Sequence, residues 1–259
     1  MITLRKVKTR HTETHVLEGG AGPDLLFLHG AGGITAEDPF LNALAAKYHV
    51  YAPLLPGYGA SDECGEIRDM LDVTLHTYDV MAALGLSKPL LAGHSMGGMI
   101  AAEMAAISPN DIEKLCLICP AGLWLDDHPI PDLFALLPYE LPALLFHDAE
   151  AGGKMMTAGM DFSNLEFLKS FLIQNARQMG MAGKLLFPIP DRGLRQRLYR
   201  IKAQTLLIWG DSDKLIVPRY AQEFKKLIAG AELVSIPEAG HLVPLEKTAQ
   251  TVAAIGKLA

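Results

Sequence analysis

Residues 90–100 read Leu-Leu-Ala-Gly-His-Ser-Met-Gly-Gly-Met-Ile, and this stretch decides the fold. A short apolar run ends at Ala92, a glycine-rich turn surrounds Ser95, and a segment of helical character follows. The pattern G-x-S-x-G between a strand and a helix is typical of a nucleophile elbow, in which the serine takes a strained backbone conformation. Gly93 and Gly97, two positions to either side, would let strand and helix approach closely. The sequence therefore predicts Ser95 as a nucleophile at a helix start.

Alternating strand-like and helix-like segments surround this motif. The continuous apolar runs that predict strands are 24–28, 49–55, 89–92, 115–118, 205–209 and 232–236. Apolar residues at helical spacing predict helices at 40–47, 67–84, 99–107, 219–228 and 245–258, and the alternation of apolar and charged residues in 1–8 predicts an edge strand. Apolar strands separated by helices indicate an α/β fold with a mostly parallel central sheet and helices on both faces. Residues 121–200 are rich in Leu, Met, Phe and Pro and show no strand pattern. We therefore expect a core formed by residues 1–120 and 201–259, with a helical cap (121–200) inserted over the ligand crevice.

Composition narrows the classes of function. The chain has 259 residues, of which 50% are hydrophobic and 20% charged, and its net charge of −6 gives no electrostatic basis for binding nucleic acid. No apolar run approaches the roughly 18 residues of a membrane span, and the first residues lack the apolar stretch of a signal peptide. Three cysteines without a disulfide pattern suit a reducing compartment. We expect a cytoplasmic protein, and the sequence does not indicate its oligomeric state.

A serine nucleophile needs a base and a group that orients the base. His241 lies in the loop 238–242, which directly follows the strand predicted at 232–236, so it belongs at the same sheet edge as the elbow. Asp211 and Asp213 both lie in the loop after the strand predicted at 205–209, and spacing alone does not separate them. The chain order serine, aspartate, histidine is the order expected of α/β-hydrolases.

The negative charge that forms on an attacked carbonyl oxygen needs two backbone amides near the serine. Met96, the residue after the nucleophile, is expected to supply one of these amides. The other is expected from Ala31, in the glycine-rich loop that follows the first apolar strand run. That loop lacks the lysine of a phosphate-binding loop, and the sequence has no clustered set of His and Cys ligands. Cys116 and Cys119 have the spacing of a redox or metal pair, but they lie in a predicted buried strand and are expected to be core residues. We therefore expect no cofactor and no metal.

Taken together, these motifs resemble those of the cap-bearing, serine esterase-like branch of the α/β-hydrolase fold superfamily, over nearly the whole chain. The matching stretches are His29-Gly30, Pro56 to Ser61, Gly93 to Gly98, Trp209 to Asp213 through Pro218, and Gly240-His241. The resemblance implies that Asp213, in the W-G-x-x-D pattern, is the acid rather than Asp211. It also implies a carboxylesterase that acts through an acyl-enzyme. The apolar residues of the cap, such as Leu133, Phe134 and Leu144, predict small to medium, largely apolar ester substrates.

Other activities share the same machinery. Lactone and thioester hydrolysis are open alternatives, and hydrolases of the carbon–carbon bond in ring-cleavage products carry a similar Ser-Met-Gly-Gly elbow. Those carbon–carbon hydrolases tend to have an aromatic residue, usually Trp, after the catalytic histidine, where this chain has Leu242. A binding protein with slow or no turnover is a third hypothesis. The sequence favours the ester hydrolase.

Overall fold

The computed structural model describes residues 1–258, in which one eight-stranded sheet forms the centre. The strands lie in the order β1-β2-β4-β3-β5-β6-β7-β8, and every pair from β4 onward in that order is parallel. Their bounds are β1 Thr3–Lys8, β2 Glu13–Gly19, β3 Asp24–Leu28, β4 His49–Pro53, β5 Leu90–His94, β6 Lys114–Ile118, β7 Gln204–Gly210 and β8 Glu232–Ile236. All five residues of β5 are buried. Because alternate residues face opposite sides, both faces of the sheet are covered at this strand.

The helices are α1 Pro39–Ala45, α2 Met70–Ala83, α3 Met96–Ile107, α4 Leu141–Leu145, α5 Ala149–Thr157, α6 Leu165–Leu186, α7 Arg219–Leu227, α8 Val243–Glu246 and α9 Thr248–Ile255. Around the sheet, α2 packs with α3, α1 packs with α8 and α9, and α7 packs against β7 and β8. This α/β architecture confirms the fold predicted from the sequence. Within residues 1–258, no helix combines the length and apolar character that crossing a bilayer requires.

The antiparallel hairpin of β1 and β2 extends the sheet at one edge. Of its two strands, only the first was predicted, as an edge strand. β2 lacks a continuous apolar run because only some of its side chains face the core: Thr14, Val16 and Leu17 are buried, while Glu13 is exposed. Its polar residues interrupt the apolar run that would have predicted a strand.

The predicted terminal helix, 245–258, is interrupted. Lys247 has φ −132° and ψ 50°, outside the helical region, and separates α8 from α9. The hydroxyl of Thr248 donates to the carbonyl of Pro244 at 2.7 Å, which satisfies a carbonyl that the break leaves free. α3, by contrast, begins three residues earlier than the predicted start at residue 99, directly after Ser95.

Between β6 and β7 the chain is helical. Residues 119–203, which we call the inserted segment, contain α4, α5, α6 and three short 3₁₀ turns. The end of this segment is fastened to α3: Arg197 Nε donates to Glu103 Oε2 at 2.8 Å, and Arg200 Nε donates to the Ala106 carbonyl at 2.7 Å. Glu103 is buried, so its carboxylate depends on this pairing for compensation of its charge.

Candidate active site

The turn between β5 and α3 places Ser95 at the carboxyl edge of the sheet. Ser95 has φ 53° and ψ −116°, a positive φ that side chains other than glycine rarely adopt. A Cβ on Gly97 would overlap the carbonyl of Leu28, and one on Gly93 would overlap the carbonyl of Gly97. The two glycines therefore allow the close approach of strand and helix on which the strained serine depends.

Ser95, His241 and Asp213 form one continuous hydrogen-bonded chain. The distance from Ser95 Oγ to His241 Nε2 is 2.9 Å, and that from His241 Nδ1 to Asp213 Oδ2 is 2.8 Å. A carboxylate only accepts hydrogen bonds, so Nδ1 carries the proton and Nε2 is free to accept from the serine hydroxyl. All three residues are buried, with Ser95 the most exposed at 7%. Their geometry is that of a nucleophile, a base and an orienting acid.

Asp213 and Asp211, which spacing did not separate, have different surroundings. The Asp213 Oδ1 atom accepts from the backbone amides of Leu215 and Ile216, at 2.9 Å each. These two amides and the imidazole fix both carboxylate oxygens. Asp211 is exposed, and its carboxylate accepts from the hydroxyl of Ser212 at 2.8 Å. The structure therefore brings Asp213, and not Asp211, to His241.

The backbone amides of Ala31 and Met96 belong to the two chain segments that adjoin Ser95. A Cβ on Gly30 would lie 3.4 Å from Ser95 Cβ, so the 29–33 loop runs directly beside the serine. Among residues 1–258, the amides of Ala31 and Met96 have no hydrogen-bond acceptor. Met96 is the first residue of α3, where amides lack helical partners and the helix dipole favours negative charge.

A buried histidine holds the Ala31 loop in place. The Leu55 amide donates to His29 Nε2 at 3.2 Å, so the ring proton lies on Nδ1 and is donated to the Gly30 carbonyl at 2.8 Å. Burial lowers the pKa of His29 to about 4, which keeps the ring neutral near pH 7. The Gly30 carbonyl belongs to the same peptide group as the Ala31 amide, so this bond orients the amide.

The side chain of His94, the residue before the serine, contacts the backbone of His241. Its Nε2 lies 2.9 Å from the carbonyl of His241, and the two ring centroids are 5.1 Å apart. Burial, and then the neighbouring His241, lower the pKa of His94 to about 3. A neutral His94 donates from Nε2 and fixes the backbone that carries the base. This contact spans 147 residues of chain, and no local pattern indicated it.

Two further groups, for which the sequence predicted no role in the site, lie beside it. Glu246 accepts from the amide of Gly240 at 2.6 Å and from the amide of His147 at 2.9 Å, so it joins the loop of His241 to the inserted segment. Cys119 has φ 41°, and its thiol lies within 4.8 Å of the ligand atoms of Asp213 and His241. A glutamate shortly after the base was a possible signal for the first, whereas Cys119 looked like an ordinary core residue.

One group of three potential metal ligands occurs among residues 1–258, and it is Cys119, Asp213 and His241, whose ligand atoms lie within 4.8 Å of one another. The acid and the base already bond each other at 2.8 Å. Burial, and then the charge of Asp213, raise the pKa of the Cys119 thiol far above its usual range, so it stays protonated. A protonated thiol is a poor metal ligand, and these donors fit a proton-transfer site better than a metal centre.

A narrow pocket opens beside Ser95, with a volume of about 40 Å³. Most of its lining is apolar and comes from the inserted segment; the lining residues other than Ser95 are Ala121, Ile130, Pro131, Asp132, Leu133, Phe134, Leu186, Pro188, Pro190, Leu215 and Ile216. Asp132 is the one charged residue of this lining. A larger cleft of about 360 Å³, lined in part by Arg177 and Lys184, lies elsewhere along α6 and does not include Ser95.

Comparison with known proteins identifies the class of fold. The model of the alpha/beta hydrolase family matches residues 25–255. The chain therefore belongs to the alpha/beta hydrolase family. The solved structure of a meta-cleavage product hydrolase from Pseudomonas fluorescens IP01 is similar in fold, with a TM-score of 0.78 at 18% identity, over 98% of this chain and 96% of that one.

Proteins with sequences similar to this chain carry the names of different activities. A dihydrolipoyllysine-residue acetyltransferase component of an acetoin cleaving system from Pseudomonas putida is 30% identical in an alignment of 246 residues that covers 90% of this chain. This chain spans 62% of that relative's length. Lipase 1 of Psychrobacter immobilis is 28% identical in an alignment of 240 residues that covers 89% of this chain and 75% of the lipase.

Proposed function

We propose that the protein is a serine hydrolase that cleaves carboxylic esters of small to medium, largely apolar substrates through an acyl-enzyme. The observation that carries this proposal is the unbroken chain from Ser95 Oγ through His241 to Asp213, with both contacts shorter than 3 Å. A hydroxyl of ordinary pKa becomes a useful nucleophile only with such a base at hydrogen-bond distance. The similarity to a lipase over most of the chain supports the same proposal.

In the first half-reaction, Ser95 Oγ attacks the ester carbonyl while His241 Nε2 takes its proton. Asp213 holds the imidazole in the required tautomer and stabilises the charged ring. The amides of Ala31 and Met96 donate to the carbonyl oxygen as it becomes negative. Because these amides have no other acceptor among residues 1–258, they are available for this charge.

The first half-reaction ends when the charged His241 gives its proton to the leaving alcohol as the ester C–O bond breaks, which leaves the acyl group on Ser95. In the second half-reaction the acyl group is transferred to water: the neutral ring of His241 takes a proton from a water molecule as that water attacks the acyl-enzyme. The oxyanion forms again at the same two amides, and collapse of the intermediate returns Ser95 and releases the acid. The imidazole of His241 therefore accepts the proton of both nucleophiles, first Ser95 and then water.

The pocket lining supports a neutral, apolar substrate. Most of its residues carry only carbon atoms in their side chains, and its one charged side chain is the carboxylate of Asp132. A substrate with a carboxylate near the scissile bond, such as a ring-cleavage dienoate, would find no cation among these residues and one like charge. Together with Leu242 in place of an aromatic residue, this favours esters over the carbon–carbon alternative. We also propose that residues 121–200 are the cap and that the protein is cytoplasmic.

A panel of aryl esters of increasing acyl length, with a lactone, a thioester and a ring-cleavage dienoate, tests this function. We expect turnover of the neutral esters and its loss in Ser95→Ala, while Ser235→Ala, a change on an exposed strand residue, keeps the wild-type rate. Undiminished hydrolysis by Ser95→Ala would remove the serine from the mechanism. Turnover of the dienoate alone would favour carbon–carbon cleavage, and tight binding without turnover would indicate a binding protein.

A further inference from the structure

Tyr58 lies under the loop that carries Ala31, in the Pro56 to Ser61 motif. It is fully buried, and its hydroxyl donates to the Ala31 carbonyl at 3.0 Å. Its ring packs against the His29 ring with a centroid distance of 4.5 Å. It also limits the space at Gly33, where an added Cβ would lie 3.1 Å from the Tyr58 ring. One side chain therefore contacts the 29–33 loop at three places.

The hydrogen bond from Tyr58 completes the fixation of Ala31. His29 already holds the Gly30 carbonyl, which belongs to the peptide group before the Ala31 Cα. The Ala31 carbonyl, held by Tyr58, belongs to the peptide group after it. With both flanking peptide groups fixed, neither backbone dihedral of Ala31 is free, and its amide keeps one direction. Burial raises the pKa of Tyr58, so the hydroxyl keeps its proton and donates at any pH at which the enzyme works.

We propose that Tyr58 is a positioning residue for the Ala31 amide, which it holds in the direction that an oxyanion requires. The proposal rests on the proposed function. A donor that is already oriented stabilises the developing charge without reorganisation during the reaction, which is the source of most oxyanion-hole catalysis. Tyr58 is not among the residues that line the pocket beside Ser95, so its effect is expected in the chemical step and not in substrate binding.

Tyr58→Phe tests this role because it removes only the hydroxyl. Tyr78→Phe is the matched control: Tyr78 also donates to a backbone carbonyl, that of Met104 at 2.7 Å, but at the far end of α3 from Ser95. For Tyr58→Phe we expect kcat on an aryl ester to fall about three- to tenfold, the range expected when one neutral hydrogen bond is lost. We expect KM to change less than twofold, and Tyr78→Phe to keep wild-type kcat and KM.

The rate at which a fluorophosphonate labels Ser95, followed by intact-protein mass, gives a second readout that needs no substrate. It should fall in Tyr58→Phe by the same factor as kcat and stay unchanged in Tyr78→Phe. Equal labelling and turnover of wild type and Tyr58→Phe would overturn the positioning role and leave the serine hydrolase intact. Equal losses in both tyrosine variants would reduce Tyr58 to a structural residue. A wild type that neither labels nor turns over esters would overturn the proposed function, and the role of Tyr58 with it.

Discussion

Acid should destabilise the fold through its buried neutral histidines, and His76 allows this effect to be isolated. His76 lies in α2, and its Nε2 contacts the Thr14 hydroxyl at 3.2 Å. Its Nδ1 is buried without a hydrogen-bond partner among residues 1–258. Burial lowers the pKa of His76 from 6.5 to about 4; Asp79 opposes this shift, and His11 adds to it.

The sign and size follow from proton uptake. Above pH 6.5 the ring is neutral in both the folded and the unfolded chain, so the free energy of unfolding does not depend on its titration. Between pH 6.5 and about 4 the unfolded chain binds a proton at this ring and the folded chain does not, so the free energy of unfolding decreases as the pH is lowered. At pH 5 an unfolded histidine is almost fully protonated while folded His76 is mostly neutral, which corresponds to a loss of about 2 kcal/mol.

Urea unfolding of wild type and His76→Gln at pH 7.5, 6 and 5 measures this loss. We expect the free energy of unfolding to fall by about 2 kcal/mol less in the variant than in wild type between pH 7.5 and 5. His29 and His94, whose pKa values are also lowered, stay in both proteins, so the difference belongs to His76. His128→Gln, which replaces an exposed imidazole, should behave like wild type. The reasoning would be refuted if wild type and His76→Gln lost the same stability.

Three other predictions follow from the same contacts. Asp213→Asn should lower kcat on an aryl ester by about 10³- to 10⁴-fold because the imidazole loses its tautomer, while steady-state kinetics of Asp211→Asn should match wild type within about twofold. Glu103→Gln should lower the free energy of unfolding by about 2 kcal/mol in a urea titration, a buried ion-pair loss reduced because Arg197 is partly exposed; an unchanged midpoint would contradict this. Asp132→Asn should raise kcat/KM for an ester with a carboxylate on its acyl group about fivefold and leave a neutral ester of equal length unchanged; equal effects on both esters would show that charge is not the cause.

The parallel strands of the sheet could be predicted from the sequence because each one has a local pattern. Strands β3 to β8 are runs of apolar residues followed by loops that contain glycine, and Ser95 and His241 lie in two of those loops. β2 was not readable, because a strand at the sheet edge carries polar residues on its exposed side. The interruption at Lys247 was not readable either, since apolar spacing continues across it.

The parts of the site that the sequence did not reveal depend on residues distant in the chain. Spacing left Asp211 and Asp213 equal and only the family resemblance favoured Asp213, whereas the structure shows the imidazole of His241 directly against the Asp213 carboxylate. Tyr58 lies inside a recognised motif, but its bond to Ala31 joins residues 27 positions apart. Glu246 links two loops across 99 positions through its bond to the His147 amide. Such pairings are settled by packing, which a linear pattern does not encode.

The bonds between residues 143–147 and the loops of the acid and the base have a consequence for engineering. The Leu242 amide donates to the Leu145 carbonyl at 3.1 Å, Lys214 Nζ to the Ala143 carbonyl at 3.2 Å, and Phe146 is fully buried against Gly240. A minimal enzyme made by excising residues 121–200 would therefore lose the contacts that hold the loop of His241 in place. Grafting a foreign insert to alter specificity should therefore keep residues 141–147 and exchange the chain on either side of them.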